Sequence, residues 1–171
     1  MIKKIVLLSF LVFSFFLIIS SVAAADYYVD SDTEHSDIAN WMRKDAKNGD
    51  NLVFTGCEYD LTDTIVVSKS VNIKGVNKTQ INLKKSKNMF KITVSGVNFD
   101  GLSLNYYLND YADHVIEEYA IYASGSSKKI NINNTEWESY GLFLHFSKGT
   151  IANSIISSTS GYALGVPVKL K

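Results

Sequence analysis

Apolar and polar residues alternate with a period of two along most of this chain. Val71 and Ile73 flank Asn72, for example, and the pattern restarts after a short break at Gly, Ser, Lys or Asn. Such alternation is typical of strands that bury one face and wet the other. It predicts short strands at residues 26–29, 51–55, 64–68, 71–75, 79–83, 89–94, 97–105, 119–123, 129–133, 141–146, 150–156 and 162–168.

Helical spacing is convincing in one segment, residues 36–47. Ile38 and Trp41 fall on one face of a helix there, and Ser36 or Asp37 is suited to be its N-cap. The pattern therefore predicts a single short helix that follows the first strand.

A longer repeat is superimposed on the strands. Similar apolar-polar-apolar motifs begin at Val71, Val97, Ile130 and Ile151, at intervals of 26, 33 and 21 residues. These intervals lie in the range of solenoid repeats, in which coils stack because one coil alone cannot offset its backbone entropy. The longest interval is interpreted as containing an insertion near residues 106–118.

The first 25 residues are predicted to be a secretory signal peptide. Lys3 and Lys4 precede 21 uncharged residues, which end in Ala23, Ala24 and Ala25 before Asp26. An uncleaved membrane anchor is the alternative, because about 20 apolar residues can span a bilayer. In both cases the domain at residues 26–171 is expected outside the cytoplasm, extracellular or at the cell surface.

Composition narrows the possible functions. The whole chain has 17 basic and 17 acidic residues, and residues 26–171 carry 15 and 17, a net charge of −2. This balance gives no indication of nucleic-acid binding. Cys57 is the single cysteine, so no internal disulfide is possible, and its thiol is predicted to be buried. No cofactor or metal site is predicted, since zinc-type Cys and His spacing is absent.

Residues 46–61 and 64–79 resemble the opening of exported right-handed parallel β-helix proteins. The shared pattern places Gly49 and Asp50 in a turn, Gly56 and Tyr59 in the next turn, and Gly75 at the end of paired strands. This family includes adhesin-like surface proteins of methanogenic archaea and the wider pectate-lyase-like superfamily, and the resemblance covers about residues 26–105. It implies an all-β, right-handed parallel β-helix (solenoid) of about four to six coils with a short N-terminal capping α-helix.

Enzymes of this superfamily cleave acidic polysaccharides with clustered carboxylates, often with calcium, and a basic residue. The single arginine, Arg43, lies in the predicted helix, so a solvated loop is favoured and no catalytic residue is assigned. The acidic candidates are Asp100, Asp110, Asp113, Glu117 and Glu118.

Aromatic residues near the insertion are the candidate ligand contacts. Their rings could stack on sugars or on a protein partner, or they could pack the insertion onto the coil. The candidates are Tyr106, Tyr107, Tyr111, Trp137 and Tyr140.

Asparagines contribute two further predictions. Asn77 and Asn133 begin N-glycosylation sequons, which suit an exported protein. Other asparagines are expected at strand ends or outward positions, where they can stack coil upon coil. These are Asn72, Asn82, Asn98, Asn131 and Asn153.

The sequence thus favours an adhesin-like surface protein that binds a glycan or a protein partner. A carbohydrate-active enzyme (lyase-like or hydrolase-like), an inactive remnant of one, and a purely structural wall component remain alternatives. Residues 165–171 lack a capping helix, and Pro167 only blunts the edge. The expectation is therefore either a shortened relative of longer family members or end-to-end association through the C-terminal coil.

Overall fold

The computed structural model describes residues 23–83, 88–107, 119–123, 125, 128–140, 144–158 and 169–170. It is mostly β, a parallel β-solenoid of about four turns with one short helix, so the predicted fold class is confirmed. The helix α1 is His35–Lys44. The strands are β1 (Asp26–Val29), β2 (Asn51–Phe54), β3 (Glu58–Asp60), β4 (Ile65–Val67), β5 (Asn72–Leu83), β6 (Phe90–Ile92), β7 (Val97–Tyr107), β8 (Ile121–Ala123), β9 (Lys129–Asn133), β10 (Glu136–Tyr140), β11 (Leu144–His145), β12 (Lys148–Ala152), β13 (Ile155–Ser158) and β14 (Lys169–Leu170).

The strands form three faces around a common interior, and every pairing among the described strands is parallel. The first face runs β1, β2, the start of β5, the start of β7, β9, β12 and β14. The second face contains β3, the ends of β5 and β7, β10 and β13. The third is a separate sheet in the order β4, β6, β8, β11. Parallel pairing between successive coils requires the chain to wind instead of doubling back.

A close backbone approach holds the corner between the first two faces. A Cβ atom on Gly75 would lie 2.3 Å from the carbonyl oxygen of Gly101, and Gly101 itself has a φ of +66°. The register shifts here between Lys74 and Thr79, so that β5 bulges outward at residues 75–78. The sequence predicted two strands on either side of this bulge, and the structure joins them into one.

Inward side chains stack in rows along the coils. On the first face one row is in register across five strands and is 3% exposed or less. Its members are Leu52, Ile73, Phe99, Ile132 and Ile151. The predicted inward orientation of Ile73, Phe99 and Ile132 is therefore confirmed.

Helix α1 buries Ile38, Trp41 and Met42 and packs against β4. Trp41 stacks on Tyr27 of β1 with ring centroids 4.9 Å apart. The N-cap is Glu34, so the prediction of Ser36 or Asp37 was wrong. Among the described residues no helix is both long and apolar enough to cross a membrane.

The early start of α1 follows from its first turn. The backbone of Glu34 is extended, and its carbonyl oxygen accepts hydrogen bonds from the N–H groups of Asp37 and Ile38. At the other end, the N–H groups of Asp45 and Ala46 share the carbonyl of Trp41, which closes the helix at Lys44.

The structure contains two strands that were not predicted from the sequence, and it exposes a thiol that was predicted to be buried. Pattern reading missed β3 and β10, because most of their residues are polar. Cys57 is exposed, so the predicted burial was wrong. The physical reason is that β2 ends at Phe54 and the chain bends at Gly56 and Cys57, which takes the thiol out of the strand's inward alternation.

Candidate functional site

A ladder of asparagines runs along the outside of the first face. The Nδ2 of Asn72 donates to Oδ1 of Asn51 over 2.9 Å, and Asn98 donates to Asn72 over 2.8 Å. Asn131 donates to Asn98 over 2.8 Å. The predicted outward stacking of Asn72, Asn98 and Asn131 is confirmed.

The ladder has a direction, because each amide donates to the preceding coil. At its start Asn51 donates to the carboxylate of Asp26, which can only accept while it is ionised. That hydrogen bond and a second one from the Tyr28 hydroxyl lower the pKa of Asp26. At the other end the Thr150 hydroxyl donates to Oδ1 of Asn131 over 3.0 Å.

Two shorter ladders also begin at carboxylates. Asn82 donates to Asp60 over 2.7 Å and accepts from Asn105 over 3.2 Å. Asn133 donates to Asp100 over 3.1 Å and accepts a hydrogen bond from Asn153 over 3.0 Å. Asp100, one of the acidic candidates, is therefore a rung of a ladder, and Asn82 and Asn153 stack as predicted.

The two sequons lie in different surroundings. Asn77 is exposed at the tip of the bulge in β5, with a φ of 56°. Asn133 is half-buried and occupies the middle rung of its ladder. Glycosylation at either asparagine remains a prediction, but only Asn77 presents an amide that is not engaged in a ladder.

The aromatic candidates separate into three groups. Tyr106 is 0% exposed within the core cluster, which supports the packing alternative for this residue. The backbones of Tyr107 and Tyr140 pair in register between β7 and β10, and Trp137 pairs with Leu104. Outside the described residues lie Tyr111 and the remaining acidic candidates, Asp110, Asp113, Glu117 and Glu118.

An aromatic cluster lies on the third face, among residues that were not predicted from the sequence to contact a ligand. Tyr119 and Tyr122 stack with centroids 5.5 Å apart, and His145 lies 5.0 Å from Tyr119 and 5.1 Å from Tyr122. Tyr122 and His145 are partners in register between β8 and β11. Strand alternation could have placed both side chains outward, but their register across coils is not visible in the sequence.

A groove lies between the start of α1 and the turn that joins β3 to β4. Its volume is about 640 Å³. The groove residues, which sequence reasoning did not single out, are Ser31, Asp32, Thr33, Glu34, His35, Ser36, Tyr59, Asp60, Thr62 and Asp63.

Hydrogen bonds fix the wall of the groove that precedes α1. The carboxylate of Asp30 accepts from the Thr33 hydroxyl over 2.7 Å and from the N–H of Asp32 over 3.2 Å. The bond from Thr33 is the main cause of the lowered pKa of Asp30. Across the groove the Tyr59 hydroxyl donates to the carbonyl of Thr33 over 2.8 Å, and burial raises the pKa of Tyr59.

The chemistry of the groove is that of a hydrogen-bond acceptor surface. Four lining residues are carboxylates, five carry hydroxyls, and none of the described lining residues is Lys or Arg. An anionic ligand would be repelled, whereas hydroxyl and amine donors would be accepted. Within the described parts of the chain, no group of three or more His, Cys, Asp and Glu could hold a metal ion.

Comparison with known protein families, with curated proteins and with solved structures finds no match. The class of protein is therefore defined by the fold, a parallel β-solenoid of about four turns.

Proposed function

We propose that this protein is an exported, adhesin-like surface protein that binds a neutral glycan in the groove beside α1. The observation that carries the proposal is the groove itself, about 640 Å³ of concave surface lined by carboxylates and hydroxyls without a lysine or arginine. Export is supported by the leader-like residues 1–25. An adhesin-like role is supported by the resemblance of residues 26–105 to surface β-helix proteins.

Sugar hydroxyls are suited to such a lining. Each hydroxyl can donate to a carboxylate oxygen, and hydrogen bonds to a charged acceptor are stronger than neutral ones. Asp32 and Glu34 are exposed on one side of the groove, and Thr62 is exposed on the other. A few polar groups that converge on a concave surface can orient a ligand.

The outer side of the first face is less suited to this role. Its asparagine amides already donate to one another from Asn72 to Asn131, so a sugar would have to compete with internal hydrogen bonds. The ladder of the first face does not reach the groove, where one of the four carboxylates, Asp60, accepts a hydrogen bond from Asn82 of a shorter ladder.

The proposal can be tested by binding measurements on the full chain, purified from an exporting host. We expect neutral oligosaccharides to bind and polygalacturonate, an acidic polymer, not to bind. Thr62→Trp, which fills the groove, and Asp32→Ala, which removes an acceptor, should each weaken binding about tenfold or more, equivalent to about 1.4 kcal/mol.

Lys91→Ala is the matched control, since Lys91 is exposed on the third face away from the groove lining. Its affinity for the same oligosaccharide should be unchanged. Binding of polygalacturonate, or an equal loss of affinity in the Lys91 variant, would contradict the groove as the site.

The four carboxylates of the groove also suggest an alternative function, enzymatic cleavage of the bound glycan. A pair of carboxylates can act as acid and base in glycoside hydrolysis. Incubation of the bound oligosaccharide with the protein should leave its length unchanged. Release of shorter sugars that is lost in Asp32→Ala would replace the binding function by a hydrolytic one.

A further inference from the structure

The main chain of Ala25 belongs to the folded domain. Its N–H donates to Oδ1 of Asp50 over 2.9 Å, and its carbonyl accepts from the N–H of Asn51 over 2.8 Å. The bond from Asn51 continues the backbone contacts between β1 and β2 by one residue before Asp26, and the bond to Asp50 is made by its side chain. Ala23 and Ala24, by contrast, are exposed and make no hydrogen bond to the described residues.

Asp50 depends on this contact. The residue is 5% exposed, and its second oxygen, Oδ2, accepts from the N–H of Lys47 over 2.8 Å. The hydrogen bonds from Ala25 and Lys47 are the main causes of its lowered pKa. A buried carboxylate that lost one of its two donors would be destabilised.

The expected leader ends in three alanines, and the three possible cuts have different consequences. A cut after Ala25 would remove both hydrogen bonds at this end of β1. A cut after Ala23 would keep them and leave Ala24 as an exposed extra residue. A cut after Ala24 would keep both and convert the neutral N–H of Ala25 into an α-ammonium.

We propose that the mature chain begins at Ala25, one residue before the boundary predicted from the sequence, and that its α-ammonium forms an ion pair with the carboxylate of Asp50. The inference rests on the proposed export and on removal of the leader by a signal-processing protease. Water adds across the Ala24–Ala25 peptide bond: its oxygen joins the carbonyl carbon of Ala24, and a proton goes to the nitrogen of Ala25. That nitrogen takes up a second proton at neutral pH.

The pair gives leader removal a structural consequence. Asp50 lies in the turn before β2, and its carbonyl accepts from the N–H of Asn72 at the start of the next coil. A charge-assisted bond at Asp50 therefore strengthens the contact between the first residue and the first stacked coils. Processing completes the N-terminal end of the solenoid.

The first experiment is the intact mass of the full chain after production and export. We expect a mass that begins at Ala25. A chain beginning at Ala24, at Asp26 or further on would overturn the inference while leaving export and groove binding in place. Retention of residues 1–24 would overturn both the inference and the processing of the exported protein.

The second experiment is a double-mutant-type cycle. It compares the parent protein and the Asp50→Asn variant, each with and without an acetyl group on the α-amine. At about pH 6.5 the α-amine reacts before the lysines, because its ordinary pKa is about 7.7–8.0 and theirs is about 10.4. Acetylation should lower the Tm of the exported protein by about 4 °C. It should leave the Tm of the Asp50→Asn variant unchanged.

The pH dependence sharpens this test. An amine paired with a carboxylate has a raised pKa, so its stabilising effect is complete below about pH 7.7 and is lost as the pH rises through the raised value. The Tm difference between free and acetylated protein should therefore vanish in alkaline buffer. An equal effect of acetylation in both proteins, or none in either, would contradict the pair. Neither Ala25 nor Asp50 lines the groove, so glycan binding should be unaffected by acetylation and by Asp50→Asn. Absence of glycan binding in the unmodified protein would count against the groove and not against the ion pair.

Discussion

The first face of the solenoid carries two rows of side chains on the same strands. The inward row, which includes Ile73 and Phe99, is apolar and buried, and the outward row, which includes Asn72 and Asn98, is a ladder of amides. Both rows share one backbone register. The inward row gains stability by leaving water, whereas the side-chain amides of the outward row donate their hydrogen bonds within the protein. This difference is the reason for proposing a ligand site away from the first face.

Breaking the inward row should have the largest effect. Ile73→Asp places a carboxylate at a position that is 0% exposed and surrounded by apolar side chains. The substitution should lower the free energy of unfolding by about 4 kcal/mol or more, which prevents folding. Circular dichroism and urea unfolding of the purified variant provide the measurement. Lys91→Asp on an exposed position should change stability by about 0.5 kcal/mol or less. Equal tolerance at both positions would contradict the assigned faces.

Adding a side chain at Gly75, in the corner between the first two faces, should have the next largest effect on stability. A Cβ atom at Gly75 meets the backbone of Gly101 at 2.3 Å, so Gly75→Ala must displace a neighbouring coil and should cost about 2 to 3 kcal/mol. Gly49→Ala is a useful comparison, because a Cβ there meets nothing within 4 Å and only the positive φ of 96° opposes it. Its cost should be about 1 kcal/mol. If urea unfolding shows the Gly49 variant to be the less stable, the close approach at the corner is not what matters.

Removing one hydrogen-bond donor from the asparagine ladder of the first face should have a smaller and pH-dependent effect on stability. Asn98→Asp can still accept from Asn131 but cannot donate to Asn72 while ionised, and it should cost about 1 to 2 kcal/mol at pH 7. Because protonation restores a donor, the pKa of the new carboxyl should be raised. The stability gap to the parent protein should therefore narrow as the pH falls toward 4. Asn98→Ala is the control, and its gap should not depend on pH.

Removing the surface ion pair between Lys78 and Glu136 should have the smallest effect on stability. Lys78 pairs with Glu136 across an intervening coil, but the two side chains are 55% and 39% exposed. Lys78→Met should change the free energy of unfolding by about 0 to 1 kcal/mol, with less effect at high salt. A loss as large as that of the Asn98 variants would show that this surface contact holds the coils together.

The same contrast explains what could be predicted from the sequence. Alternation alone identified the outward Asn72 and Asn98 and the inward Ile73, because strand geometry determines which side a residue faces. The bulge at residues 75–78 was missed, since it depends on the approach of Gly75 to Gly101 from the next coil. The groove was missed for a similar reason, since Asp32 and Thr62 are far apart in sequence and meet only through the winding of the first coil.

Chemical-shift mapping by NMR tests most directly whether the groove is the binding surface. A neutral oligosaccharide that binds should be titrated into ¹⁵N-labelled protein, and backbone and asparagine side-chain amides should be followed together. We expect shifts confined to residues 31–36 and 59–63, with the side-chain amides of Asn72, Asn98 and Asn131 unchanged. Shifts centred on those ladder amides, or on Tyr122 and His145 of the third face, would contradict the groove as the site of recognition.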